Sequence, residues 1–327
     1  MKIYPLKLKP VTKKILWGGS FLSENFDIGE KGEKIAEAWM MTCRPDGNNI
    51  IDNGEYSGMT LDEFIKQNTI KAVCGIEGEF PLLIKLIDAR DRLSVQVHPD
   101  DAYAHCHGLD AGKTEMWYVV SAKPGAKLVY GLKDGANPDL SELEKRSKDG
   151  SFDEILNYVD VKKGDCFYIP AGLVHAIGAG IVVAEIQQNS NTTYRLYDYD
   201  RVGKDGNKRE LHIKSASEVI KTDFEDKFIV NCVEEDSEDC NVVTLCSGPF
   251  FAAEKYLLKT GVCRSVCRDE MLNIMCLDGK GYITFMGEKY PASKGDSYLI
   301  PANMGKFSVC SDSDDFEIIV SYAKTNK

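Results

Sequence analysis

Lys163-Gly-Asp-Cys-Phe-Tyr-Ile-Pro-Ala171 recurs as Lys294-Gly-Asp-Ser-Tyr-Leu-Ile-Pro-Ala302. Upstream of each copy lies a second matching pair, Glu115-Met-Trp-Tyr-Val-Val120 and Glu270-Met-Leu-Asn-Ile-Met275. Each landmark is followed by a Gly-containing turn and an extended run, the signature of a hairpin. An internal repeat of hairpins predicts two related β-barrels or sandwiches in tandem. The first copy is longer. Asn137-Pro138 and the capping-box pattern Ser151-Phe-Asp-Glu154 predict two short helices, about 138–147 and 152–158, as an insert in it. A further capping pattern, Ser215-Ala-Ser-Glu218, predicts the short helix that ends the first large unit. The expected division is 1–220 and 221–327.

Chemistry-bearing residues concentrate in the first copy. In Leu93-Ser-Val-Gln-Val-His-Pro-Asp-Asp101, period two puts Gln96 and His98 on one strand face and Val95 and Val97 on the other. The run Thr114–Val120 places Glu115 and Trp117 on one face. The Gly164–His175 stretch ends on a second histidine. Two imidazoles, a carboxylate and an amide oxygen form a donor set for one zinc-like ion. In the second copy Lys306 replaces His175, and no histidine follows His212. One metal site, in the first barrel, is therefore expected. His105 and His107 read as surface or capping residues.

Composition narrows the function. A net charge of −11 without a basic tract argues against a non-specific nucleic-acid binder. No apolar run approaches the roughly 18 residues that span a membrane, and MKIYPLKLKP has no apolar signal-peptide core. Eleven cysteines without a CxxC read as reduced, mostly buried thiols of a cytoplasmic protein. Cys263 and Cys267, four apart, lack the second cluster that a metal site would need.

Other segments add local detail. Residues 34–43 (KIAEAWMMTC) read as a strand, Thr60-Leu-Asp-Glu63 as the start of a helix over 61–67, and Leu82–Asp88 as a buried strand interrupted by Lys85. Trp17 before two glycines is either a core residue at a turn or the wall of a sugar site. Lys113 stands two residues before Glu115 on the same face. Arg195 lies among alternating polar and aromatic residues.

The pattern Gly164-x5-Pro170-x-Gly172-x2-His175 resembles the second motif of the cupin superfamily. Gln96-x-His98 with Glu115 after a longer loop departs from the usual His-x-His start. With Gly112-Lys-Thr-Glu-Met-Trp117, Pro170-Ala-Gly-Leu-Val-His-Ala-Ile177, Ala36-Glu-Ala-Trp39 and Trp17-Gly-Gly19, it resembles the type I mannose-6-phosphate isomerases. The resemblance implies a mainly β fold of tandem cupin (jelly-roll-like) barrels with a few short helices. It implies one Zn²⁺ per chain on Gln96, His98, Glu115 and His175, and catalytic roles for Arg195, Lys113 and Lys85, with Trp17 binding substrate. The reaction implied is the interconversion of mannose 6-phosphate and fructose 6-phosphate through an enediol. The partner implied is a phosphosugar, in a monomer or a homodimer. Asn191 and Ala179 stand where relatives often carry an acid and an asparagine. Two other classes share the fold, an iron dioxygenase and a non-catalytic sugar-phosphate sensor. Gln96 argues against the first, and the intact ligand set with Arg195 against the second.

Overall fold

The computed structural model describes residues 2–203, 206–224 and 229–324, and these are mainly β. The chain divides into two compact units, each discontinuous in sequence. One comprises Lys14–Gly19 and Ile87–Asp226. The other comprises Met1–Lys13, Ser20–Leu86 and Lys227–Lys327. These units are drawn differently from the expected split at 220. Strand pairing supplies the reason: Leu6–Lys9 lies between Ile50–Ile51 and Ser297–Ile300, with Leu6 opposite Leu299 and Leu8 opposite Ile51.

In the first, His98 unit, a five-stranded antiparallel sheet runs in the order Leu156–Asp160, Lys127–Leu132, His175–Ala176, Val95–Val97, Tyr194–Tyr197. One face is apolar. Val95, Val97, Val129, Val174 and Leu196 pack there with Leu143 and Ala216 from the helices Leu140–Asp149 and Ile213–Val219. Complete burial of Val95 and Val97 stabilises the sheet by about 1.5–3 kcal/mol each. The alternation then turns Gln96 to the opposite face, as the sequence predicts. Three more strands, Cys166–Ile169, Glu115–Ala122 and Ile181–Gln188, pair antiparallel with Glu115–Ala122 in the middle.

In the second, Leu272 unit, an eight-stranded sheet faces a four-stranded one made of Cys263–Val266, Phe307–Ser311, Lys280–Phe285 and Glu288–Ser293. Leu272, Ile274, Tyr298, Ile300, Phe307 and Val309 share one apolar core. The sequence repeat is present but offset. Glu115 lies opposite Ile169, whereas the residue opposite Ile300 is Leu272. The structural counterpart of Glu115 is thus Leu272, and Glu270 precedes the strand Leu272–Asp278. A slip of two residues keeps the face, so the identity match alone does not reveal it.

Local expectations are met and corrected by turns. The helix Leu61–Asn68 carries the full Thr60–Glu63 capping box. Strands Glu37–Met41 and Leu82–Ala89 lie in the expected stretches. The insert helix is Leu140–Asp149, capped by Asp139 rather than Asn137. The helix expected over 152–158 is instead a 3-10 turn, Ser151–Glu154, followed by the strand Leu156–Asp160. Its pairing with Lys127–Leu132 and the burial of Leu156 outweigh the weak helical signal. Helix Ile213–Val219 begins after His212, so Ser215 is interior and not a cap. The reading of every cysteine as a reduced thiol is also corrected. Cys263 is bonded to Cys310, directly opposite it on the neighbouring strand. Among the described residues no helix is long and apolar enough to cross a membrane.

Candidate metal centre

Adjacent strands bring the predicted donors together. His175 lies opposite Gln96, and Gln96 opposite Arg195, so these three side chains form one row across the sheet. Glu115 comes from the other strand group. One donor atom from each of His98, Glu115 and His175 lies within 4.8 Å of the others, and all three residues are buried. Among the described residues this is the group of metal-ligating side chains found.

The imidazole tautomers follow from their partners. His98 Nδ1 is 2.9 Å from the Thr192 carbonyl, and His175 Nδ1 is 2.8 Å from the Leu173 carbonyl. A carbonyl can only accept, so each Nδ1 carries a proton, and Nε2 presents a lone pair whenever the ring is neutral. Those nitrogens face Glu115, His98 Nε2 at 3.5 Å from Oε2 and His175 Nε2 at 3.4 Å from Oε1. Burial pushes the His175 pKa down to about 3, the Leu173 hydrogen bond opposing, so the ring is neutral at pH 7. Gln96 brings its amide nitrogen to 3.3 Å from His175 Nε2, and a half-turn of the amide puts Oε1 there instead. Two imidazoles and a carboxylate with donor atoms within 4.8 Å of one another, and the Gln96 amide beside them, fit a divalent cation. Trp117 packs edge-on against His175 at 5.4 Å and donates to Glu185.

Lys113 joins the cluster. Its side chain is almost fully buried, with Nζ 2.7 Å from Glu115 Oε2 and 2.9 Å from His98 Nε2. The segment carrying Lys113 and Glu115 is held by residues that local pattern did not single out. Asp101 accepts from the Gly112 N–H and from the Gln188 side chain, and Gln188 Oε1 accepts from the Thr114 N–H. A Cβ on Gly112 would stand 2.4 Å from the Asp101 nitrogen, so only glycine fits. No sequence signal marks Asp101 and Gln188, because their contacts are long-range.

Arg195 is half-buried. Its Nε donates to Ser94 Oγ at 3.3 Å and its Nη1 to the Glu210 carbonyl at 2.8 Å. Burial, and then neighbouring Arg209, lower its pKa from the ordinary value. Beside it Asp198 accepts from Arg201 and Arg209. Lys85 belongs to the other unit, where Nζ lies 3.8 Å from Glu37 and 5.7 Å from the centre of the Trp39 ring. Trp17, in the His98 unit, is only 3% exposed, and its carbonyl accepts from the Asp91 N–H. That burial describes a packed indole, the plainer of its two readings.

The class of site is thus a candidate metal centre of the cupin type, and comparison with known proteins narrows it. Residues 6–122 match "Phosphomannose isomerase type I, catalytic domain", and residues 241–323 match "Mannose-6-phosphate isomerase, cupin domain". Mannose-6-phosphate isomerase ManA of Bacillus subtilis is 39% identical over 94% of this chain and 96% of its own. The mannose-6-phosphate isomerase of Streptococcus mutans is 37% identical over 98% of each. The crystal structure of the Bacillus subtilis mannose 6-phosphate isomerase superposes with a TM-score of 0.87, at 33% identity over 97% of this chain and 99% of that one. The chain belongs to the type I mannose-6-phosphate isomerase family, and its fold is that family's tandem cupin.

Proposed function

We propose that the protein is a zinc-dependent aldose–ketose isomerase that interconverts mannose 6-phosphate and fructose 6-phosphate through an enediol. The single observation that carries this reading is the convergence of His98, Glu115 and His175 with both Nδ1 atoms tied to carbonyls. Bound there, the cation would supply Lewis acidity toward the O1 and O2 oxygens of the sugar. Gln96, His98, Glu115 and His175 would hold it, one ion per chain, with a single negative charge among the four donors.

The chain's own residues account for the rest. Isomerisation moves a proton from C2 to C1 and builds negative charge on the adjacent oxygens. Arg195, pinned by Ser94 and Glu210, supplies fixed positive charge on the row that holds Gln96 and His175. Lys113 Nζ, 2.7 Å from Glu115 and within the cluster, is placed to pass a proton during ring opening or transfer. For Lys85 the family resemblance implies a proton-shuttle role, whereas Trp17, 3% exposed, is given a packing role and no sugar contact. The His98 unit would bear the metal, and the C-terminal repeat around Leu272 would serve packing.

The test is a coupled assay for fructose 6-phosphate formed from mannose 6-phosphate, run before and after chelation. Turnover lost on chelation and restored by Zn²⁺ is expected. Turnover that survives complete metal removal overturns the proposal.

A further inference from the structure

The strand Tyr194–Tyr197 is at the edge of its sheet, so the backbone groups on its outer side need partners from elsewhere. A histidine fills that need at Arg195. The His212 N–H donates to the Arg195 carbonyl at 2.8 Å. In return the Arg195 N–H donates to His212 Nδ1 at 3.2 Å. Two residues earlier, the Glu210 carbonyl takes the Arg195 Nη1–H. Residues 210–212 thus grip both the backbone and the guanidinium of one arginine.

The imidazole stands where a further strand beyond this edge would have offered a carbonyl. Nδ1 can accept only in the neutral ring with its proton on Nε2. Burial chiefly, and then the charge of Arg195, hold His212 below the ordinary histidine pKa, with Glu210 opposing. The Tyr194 ring lies 6.1 Å away, centre to centre. His212 also precedes helix Ile213–Val219, yet its side chain makes no capping hydrogen bond there. The ring is therefore committed to Arg195 and not to the helix.

We infer that His212 is a positioning residue of the isomerisation: its neutral imidazole fixes the Arg195 backbone at the sheet edge and so sets where the guanidinium meets the reacting oxygens. The inference rests on the role given to Arg195 above. Three variants of the metal-loaded enzyme test it: His212→Ala, His212→Asn and Arg195→Gln. Asparagine offers Oδ1 near the place of Nδ1 and does not titrate. His212→Ala is expected to lose about tenfold in kcat, the scale of one hydrogen bond, with KM, metal content and melting midpoint little changed. His212→Asn is expected to recover most of that loss. If Arg195→Gln is inactive while His212→Ala turns over normally, the inference is overturned and the role of Arg195 stands. Equal impairment of the Ala and Asn variants also overturns it, since the ring would then act by packing alone. Normal turnover by Arg195→Gln removes the role of Arg195, and the inference with it.

Discussion

The two units carry the same short motif and fill the space beside it in opposite ways. Opposite Ile169 stands Glu115, which faces two imidazoles and a lysine. Opposite Ile300 stands Leu272, in a core of Ile274, Tyr298, Phe307 and Val309. Five residues after Pro170 comes His175, buried and paired with Gln96. Five residues after Pro301 comes Lys306, exposed, and the next residue, Phe307, turns into the core opposite Val266. A strand pair that meets through Gln96 and His175 in one unit is bridged in the other by Cys263–Cys310. The contrast teaches a division of labour. Buried polar groups cost several kcal/mol unless something satisfies them, and the His98 cluster is one that a cation would satisfy. The other copy has replaced them with hydrocarbon.

The comparison can be broken at its centre. Glu115→Leu gives the His98 unit the residue of its counterpart, and it is expected to lose bound metal together with about 10³-fold or more in kcat, read by elemental analysis and the coupled assay. Retained metal and turnover in that variant would remove Glu115 from the donor set. The converse change, Leu272→Glu, puts a carboxylate into an apolar core. It is expected to cost about 3–5 kcal/mol in urea or thermal unfolding and to gain no metal. A stable Leu272→Glu variant that binds zinc would show that the second unit had kept its site in latent form.

Smaller effects sharpen the picture within the His98 unit. Arg195→Ala is expected to keep its metal and to lose about 10²-fold in kcat, since it removes charge and not a ligand. Normal turnover would exclude that role. Asp198→Asn probes the anchor beside Arg195. Burial pushes the Asp198 pKa up, but the Arg209 and Arg201 hydrogen bonds outweigh it and hold the carboxyl below its usual range. A group so depressed in the folded state stabilises it fully above the unfolded pKa of about 3.9, and the contribution fades as pH falls through the folded value. Asp198→Asn is therefore expected to cost about 2 kcal/mol at pH 7, with the gap from the wild type closing in acid. An equal gap at pH 7 and pH 3 would contradict this account.

Much of this was legible in the sequence, and the failures have physical causes. The convergence of Gln96, His98, Glu115 and His175 could be expected because period two and motif spacing act locally. The tandem β architecture could be read because the repeat spans two hairpins. The two-residue offset that makes Leu272 the partner of Ile300 could not, since a slip of two preserves the face. The helix expected over 152–158 failed because pairing of Leu156–Asp160 with a distant strand overrode local preference. The Cys263–Cys310 bridge joins residues 47 apart, which no spacing rule connects. Asp101 and Gln188, which hold the Lys113–Glu115 segment, look like any surface polar residues until the chain folds.

The pairing of Leu6–Lys9 with Ser297–Ile300 has a consequence during synthesis. At roughly 5–20 residues per second on the ribosome, the first strand waits on the order of 15–60 s for its neighbour to emerge. All the residues of the His98 unit have been made by then. The His98 unit can therefore mature while its companion is still an open sheet edge, and that edge is where a chaperone has most to protect.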